Sequence, residues 1–555
     1  MKNIKYLILP LMLLSMCSCD TGSNTSNNTT KNNDIIDNKD NFVAPYKQKM
    51  SESGKAILVN RDDVPQIIIS SLLRTDLFIN ADFKKASEME DYFAIAKETN
   101  MNTIELSIMW SQIEKSYDNY DFSDLKYYLD FAKKYDLKVN LEWYGSFVDG
   151  ETHMVNVPSY INDSSTYPVI QDMFDFANFG RCKILDWSNT NLLNRESKAI
   201  YEMMNYIYDW NNENDNYDPV IMVQIGQGVD RFQRWRVKAY DVKDSSGEAL
   251  TSDYAWSLAK TYLNEVGKGV KYSKYKALTR AEFCEQNAVV NYVRDIKDLE
   301  YIDIVSPTYL HEIASTKNGI KSFSDEYKEM YLMNSENWAS DINHKQTLAT
   351  FAMGASGYVS YQLSCPLYYP ESPNGALYKR LNEGGSSLED KFIENNKRAT
   401  DTKSINKALL DAYVGVANAP RSRFASFGLN NLLNNKTGEE RIQKIYLNNG
   451  LMFNYSNPND ALGFAISDGK YVYAYSSKDA TLDITNCTIT IAQSGSFDKL
   501  GDWNSTKVIS LENNSRLNME SGIIYRIRIA SFNELPSAST LKENGYLSTL
   551  DSIRG

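Results

Sequence analysis

Apolar positions fall into two textures along this chain. From about residue 60 to 417, short apolar runs alternate with longer stretches in which apolar residues recur every three or four positions. The short runs read as strands and the 3.6-residue period reads as helix, and regular alternation of the two is what βα units around a parallel sheet produce. Eight strands are predicted: Gln66 to Ser70, Thr103 to Met109, Lys138 to Trp143, Val220 to Ile225, Tyr275 to Ala281, Ile302 to Pro307, Met330 to Ser335 and Tyr358 to Leu363. Helices are predicted between them, over Lys84 to Glu98, Leu125 to Tyr135, Ser197 to Trp210, Tyr254 to Val266 and Ala288 to Leu299; the first carries Met89, Tyr92, Phe93 and Ala96 along one face. The expected fold is therefore α/β, a (β/α)8 TIM barrel. After a last helical stretch, Ser404 to Asn418, the period shortens to two and turn dipeptides appear. Strands are predicted at Ile442 to Leu447, Gly463 to Ile466, Lys470 to Tyr475, Ala480 to Ile484, Thr488 to Ala492 and Ile523 to Ile529, which reads as a C-terminal β-sandwich domain.

At 555 residues, 42% hydrophobic and 23% charged, the chain is globular and too long for one ordinary core. A net charge of -12 without any basic stripe excludes a nucleic-acid partner. The N-terminus joins Lys2 and Lys5 to an apolar run from Tyr6 to Met16, too short to span a bilayer, and predicts an export signal. Ser15 to Cys19 reads as a loose bacterial lipobox, with Cys19, preceded by Ser18, as the lipidated residue and a membrane anchor as the consequence. Asp20 to Asn41 is rich in Asn, Thr and Ser and reads as a solvated tether. The expected partition is a signal over 1–19, a tether over 20–45, a barrel over 46–420, a sandwich over 421–533 and a tail over 534–555. Cys182, Cys284, Cys365 and Cys487 have no C-x-x-C spacing, and His153, His311 and His344 are dispersed, so neither a metal nor a cofactor is expected.

The segment Ile221 to Asp230, IMVQIGQGVD, keeps the frame of a glycosidase active-site strand. It resembles the IMVQ-(I/V)-E-N-E-Y-G segment of family 35 and family 42 β-galactosidases, clan A glycoside hydrolases, whose last Glu is the catalytic acid/base. Gly228 stands at that position here, Gly226 at the earlier Glu and Gln227 at the Asn. Further segments resemble the same family in order and spacing: Asn102-Thr103-Ile104-Glu105 with Trp110 and Glu114, then Asp121-Phe122; Leu141 to Ser146; Pro158-Ser159-Tyr160; and Gly354 to Gln362 on the eighth strand. The resemblance implies a nucleophilic Glu at the end of strand seven, and Glu336 occupies that place. It also implies oligo- or polysaccharide partners and action on β-linked glycans by a retaining mechanism.

The acid is the gap in this pattern, since glycine does no proton chemistry. Strand alternation would turn Gln224, Gly226, Gly228 and Asp230 the same way, which makes Asp230 the first substitute; Glu142 and Glu282, at the ends of strands three and five, are the others. Their ordinary alternatives are an ion pair of Asp230 with Arg231 or Arg234, a hydrogen bond of Glu142 to a neighbouring strand, and an ion pair of Glu282 with Arg280. Trp110, Trp143, Tyr144, Tyr309, Trp338 and Tyr361 lie at or beyond strand ends and are candidates to stack on sugar rings, with core packing as the alternative for about half of them. Gln224, Arg74 and His311 could contact hydroxyls. Two further readings stand beside the hydrolase: a non-catalytic glycan-binding protein that kept the cleft, and a structural lipoprotein without a sugar ligand.

Overall fold

A computed structural model describes residues 35–38, 44–76, 86–146, 156–175, 180–226, 252–283, 296, 299–307, 331–338, 343–364, 376–381, 385–395, 398–420, 423–428, 441–457, 461–549 and 551. Its centre is an eight-stranded parallel sheet. The strands, numbered β1 to β8 in chain order, are Ile68–Leu73, Thr103–Met109, Lys138–Tyr144, Val220–Ile225, Leu278–Phe283, Ile304–Pro307, Asn334–Trp338 and Gly357–Tyr361. They pair in the order β6-β5-β4-β3-β2-β1-β8-β7, and Cα atoms of the two end strands, β6 and β7, come within 8 Å of each other, so the sheet curls round on itself.

Helices alternate with these strands. Ser123–Lys134 shows why the chain folds this way locally: Leu125, Tyr128, Leu129 and Ala132 recur at helical spacing and are buried, while Asp124 in the first turn and Lys133 and Lys134 in the last complement the helix dipole. Each strand then divides its side chains between two layers. Val139, Leu141 and Trp143 of β3 join the apolar layer beneath the helices, as do Ile104, Leu106 and Ile108 of β2. The intervening residues of both strands face the inside of the curl.

Six of the eight strands differ at a boundary from the sequence prediction. Tyr275 is buried ahead of β5, where its hydroxyl bonds the Val220 N–H and C=O at 3.0 and 2.8 Å, so its apolarity serves packing rather than the ladder. Tyr331, Leu332 and Met333 likewise lie buried before β7 begins at Asn334. β8 ends at Tyr361, two residues short of the predicted Leu363. The helix expected over Ala288 to Leu299 lies outside the described residues except Ile296 and Leu299.

The N-terminal ends of the strands are closed by a hairpin, Tyr46–Met50 with Ala56–Asn60. Tyr46 and Leu58 share an apolar cluster with Ile68, Met222, Leu278, Ile304 and Met333. Polar ties fix the hairpin in place: the Tyr46 hydroxyl donates to the Asp218 carbonyl (3.2 Å), and Gln48 donates to the Asp303 carbonyl (2.9 Å) and accepts from the Tyr331 N–H (2.8 Å).

Beyond residue 420 lie two sheets that share one apolar core. A six-stranded sheet runs in the order Phe424–Phe427, Gly463–Ser467, Tyr471–Ser476, Ile524–Phe532, Cys487–Phe497, Trp503–Ile509. A five-stranded sheet runs Arg516–Met519, Ala480–Thr485, Met452–Asn457, Arg441–Tyr446, Leu547–Ser548. The C-terminal tail adds its short strand parallel to Ile445 and Tyr446, so it straps the five-stranded sheet. The six-stranded sheet packs on the helices that precede it, with Phe351 stacked on Phe424 at 6.3 Å and the Tyr413 hydroxyl bonded to the Asp498 carbonyl at 2.8 Å.

Candidate active site

Inward-facing positions of β2, β3 and β5 carry ionisable side chains instead of hydrocarbon, and β4 carries an amide. Arg280 of β5 reaches across the curl to Glu105 of β2 in a bidentate pair, 3.0 and 2.8 Å, with both side chains essentially inaccessible. Burial alone opposes the charge on Arg280; the carboxylates of Glu105, Glu282 and Glu142 outweigh it and hold the guanidinium charged. Arg280 Nε also donates to Gln224 Oε1 at 2.9 Å. The register places Gln224 directly between Glu142 of β3 and Arg280 of β5. Its amide nitrogen donates to Glu142 Oε1 (2.8 Å), to Glu282 Oε2 (3.1 Å) and to the Gly226 carbonyl (3.1 Å). A single amide therefore holds two carboxyl groups side by side.

Glu142 stands out in this network. Burial raises its pKa well above the ordinary 4.5, and the neighbouring charges of Glu105 and Glu282 raise it further against the opposing pull of Arg280 and Arg74. The group is thus kept protonated well past the usual carboxylate range. One of its oxygens takes the Gln224 bond; the other, Oε2, has no partner among the described residues. A buried carboxylic acid with a free oxygen holds a proton it can give to an acceptor.

Around it lies a rim of polar side chains. Tyr144, two residues further along β3, is buried with its hydroxyl also unpartnered among the described residues. Arg74, just past β1, is paired with Asp76 (2.8 and 2.5 Å), lies over the Tyr144 ring at 5.7 Å and stands 3.5 Å from the Tyr361 hydroxyl at the end of β8. Ser107 of β2 donates to Asp76 at 2.7 Å.

The residues anticipated from sequence separate into three groups. Gln224, Glu142, Glu282, Arg74, Tyr144 and Tyr361 are brought together at the C-terminal ends of the strands. Gln224 is fully buried and saturated by protein partners, which is the barrel hydrogen bonding weighed against a sugar contact. The neighbouring-strand bond weighed for Glu142 is present as well, but it occupies only one oxygen. The partner of Arg280 in a bidentate ion pair is Glu105, not the Glu282 anticipated.

Trp110 and Trp143 belong to the second group, as core residues. Both are fully buried, with their indole N–H groups donating to Glu114 (2.8 Å) and Glu196 (2.9 Å), so neither presents an open face and the stacking expected of them is corrected to packing. Glu114 in turn pairs with the buried Arg195, which also bonds the Tyr160 hydroxyl at 2.9 Å. The Trp110, Glu114 and Tyr160 positions of the glycosidase-like motif thus converge on one structural knot.

The third group is only partly described. Glu336 and Trp338 lie on the backbone of β7, whose register against β8 slips between Asn334 and Asn337; an irregularity of this kind re-aims a strand, but their side chains fall outside the described residues. Tyr309, His311, Gly228, Asp230 and Cys19 lie outside the described residues altogether. The alternation argument that joined Asp230 to Gln224 stops short of it: β4 ends at Ile225, and Gly226 adopts a left-handed φ of 70° that breaks the strand period. Glu105, Arg280 and Asn140 were not singled out as interior groups, although T-I-E-L-S, K-V-N-L-E and L-T-R-A-E each alternate apolar and polar residues where a doubly covered parallel strand should be apolar throughout.

No protein-family model and no curated protein matches the chain. Among solved structures it is similar to the exo-β-1,4-mannosidase Op5Man5 from Opitutaceae bacterium strain TAV5, with 10% identity and a TM-score of 0.45 over 66% of this chain. The matched region spans 63% of that mannosidase. It is also similar to the glycoside hydrolase family 30 subfamily 8 xylanase Xyn30A from Clostridium acetobutylicum, with 10% identity and a TM-score of 0.41 over 90% of this chain and 100% of the xylanase. A family 30 endoxylanase from Clostridium papyrosolvens C71 aligns with 9% identity and a TM-score of 0.40 over 84% of this chain and 98% of its own.

Proposed function

We propose that the protein is an exported, lipid-anchored glycoside hydrolase, built on a closed (β/α)8 barrel with a C-terminal β-sandwich, that cleaves β-linked glycans by a retaining mechanism. The observation that carries this reading is Glu142: a buried carboxylic acid held protonated at the C-terminal end of β3, with one oxygen uncommitted. It supplies the proton donor that Gly228 cannot, in the region where barrels of this kind build their active sites. Asp230, the donor anticipated from strand parity, is set aside in its favour.

In the proposed reaction Glu336 attacks the anomeric carbon as the glycosidic C–O bond breaks, and Glu142 gives its proton to the departing oxygen. Water then loses a proton to Glu142 and attacks the same carbon, releasing the sugar and regenerating the Glu336 carboxylate. β-Galactosides are the first substrates to try, on the motif resemblance, with β-mannosides and β-xylosides beside them. Turnover of unactivated disaccharides should fall about 10² to 10⁴-fold in Glu142→Gln, whereas aryl glycosides, whose leaving groups need little protonation, should be far less affected. Glu336→Gln should abolish turnover of both. An unchanged aryl-glycosidase rate in Glu336→Gln removes the nucleophile, and equal losses on both substrate types in Glu142→Gln remove the acid. Anchoring is tested separately, by incorporation of labelled fatty acid that is lost in Cys19→Ala.

A second reading is favoured by one number: Glu142 is only 2% exposed. An acid this deeply covered also fits a glycan-binding protein that holds its ligand without cleaving it. Calorimetric binding of oligosaccharides without turnover of either substrate type selects that reading.

A further inference from the structure

A cavity of about 750 Å³ lies between the N-terminal hairpin and the six-stranded C-terminal sheet. That volume falls within the range of small-molecule sites, roughly 300 to 1,000 Å³. The hairpin caps the N-terminal ends of the parallel strands, so this cavity is on the other side of the molecule from Glu142. Nothing in the reaction proposed above uses it.

Its wall is built around Arg526. The guanidinium sits between two rings, 4.2 Å from the centre of Tyr471 and 5.0 Å from that of Trp503. No carboxylate among the described residues pairs with it, and its Nε has no hydrogen-bond partner there. The indole N–H of Trp503 is likewise unpartnered. Both nitrogens are buried in the wall; leaving such donors unmatched costs about 1 to 3 kcal/mol each, which a ligand that accepts from them would relieve. Trp503 is itself braced by Phe497 (5.2 Å, edge-on), which gives the pocket a stiff aromatic side.

Acceptors stand beside these donors. The Asp468 carboxylate is fixed by the backbone N–H groups of Lys470 and Tyr471 (2.9 and 2.7 Å) and by the Tyr473 hydroxyl (3.2 Å). Glu52, Asp63 and Asp502 also line the cavity. A ligand with formal negative charge would meet these four carboxylates, and one with formal positive charge would meet Arg526 and the lining lysines. A molecule dense in neutral hydroxyls, each both donor and acceptor, satisfies both signs at once, and its apolar ring face suits the aromatic side.

We infer that this cavity is a second saccharide site, which holds a neutral sugar through Trp503, Tyr471 and Arg526. It needs no catalysis at the strand ends and would tether a glycan to the face opposite Glu142.

The test is calorimetric titration of the full chain carrying Glu336→Gln with neutral galacto-, manno- and xylo-oligosaccharides. Saturable binding is expected, and Trp503→Phe, which keeps a ring and removes the N–H, should weaken one class of sites about tenfold, the worth of roughly 1.4 kcal/mol. Arg526→Ala should do the same or more. If the strand ends also bind sugar, the variants weaken one of two classes of sites and leave the other; if they do not, the variants weaken the single class present, so failure of the active-site reading is distinguishable from failure of this one. Unchanged isotherms in both variants, no binding of any neutral sugar, or tighter binding of uronic-acid oligomers than of neutral ones would each overturn the inference.

Discussion

The two ends of the parallel sheet are made from the same eight strands and have opposite interiors. Toward the N-terminal end Ile68, Leu278 and Ile304 meet Tyr46 and Leu58 of the hairpin in one apolar cluster. Further along, the strands put Glu142, Gln224, Arg280 and Glu282 into space that is almost as inaccessible, with Glu105 one layer below, level with Met222. The first arrangement gains stability from every group it buries. The second holds ionic groups whose desolvation offsets much of what their pairing returns, and it leaves Glu142 Oε2 and the Tyr144 hydroxyl unmatched among the described residues. A fold that needed only to be stable could have used hydrocarbon at both ends. The proposed function rests on this contrast, which fits chemistry or recognition at the C-terminal end.

This contrast can be broken in graded ways. Arg280→Met keeps volume but leaves Glu105 buried and uncompensated, and should cost about 3 to 5 kcal/mol in urea unfolding; adding Glu105→Leu should recover most of that loss, and a double variant no better than the single would show that the pairing is not what matters. Leu58→Ala at the apolar end should cost about 2 to 5 kcal/mol, yet leave kcat/KM or glycan affinity unchanged once the protein is folded; altered affinity would join two ends that the structure separates.

Glu142→Gln carries a smaller effect with a definite sign. Its folded-state pKa is raised, so the stability of the protonated wild type is fully present below the ordinary value of 4.5 and falls as pH climbs toward the folded value. The amide cannot ionise, so the variant should match the wild type near pH 4 and exceed it progressively above, in unfolding free energies measured from pH 4 to 8. Parallel curves would mean that the carboxyl is not held neutral. Smallest of all, Lys126→Ala removes the exposed i,i+4 pair with Asp130 on an outer helix and should change stability by roughly 0.5 kcal/mol or less.

Much of the parallel sheet was legible because its strands are short runs rich in apolar residues between amphipathic helices, and β2 and β4 match their predicted limits residue for residue. Boundaries shifted where an apolar residue was buried by packing instead of pairing, as at Tyr275 and Tyr331. In the C-terminal sheets the strand Trp503–Ile509 gave no signal, since nearly every side chain along it is exposed and no apolar alternation marks it. Arg516–Met519 is short and half polar, and escaped for the same reason. At the candidate site the polar members were visible one by one, but their union was not. Glu105 and Arg280 are 175 residues apart, and only closure of the curl makes them partners. Trp110 and Trp143 show the reverse failure: position at a strand end predicts an open ring only when no neighbouring carboxylate, such as Glu114 or Glu196, draws the indole inward.

Gly226 has a further consequence for anyone wishing to repair the strand. A side chain in its left-handed backbone costs roughly 1 to 2 kcal/mol, so a glutamate at residue 226 would strain the very peptide whose carbonyl anchors the Gln224 amide. A carboxylate at this position is therefore obstructed by geometry before chemistry is considered, and a designer would first have to relax the turn.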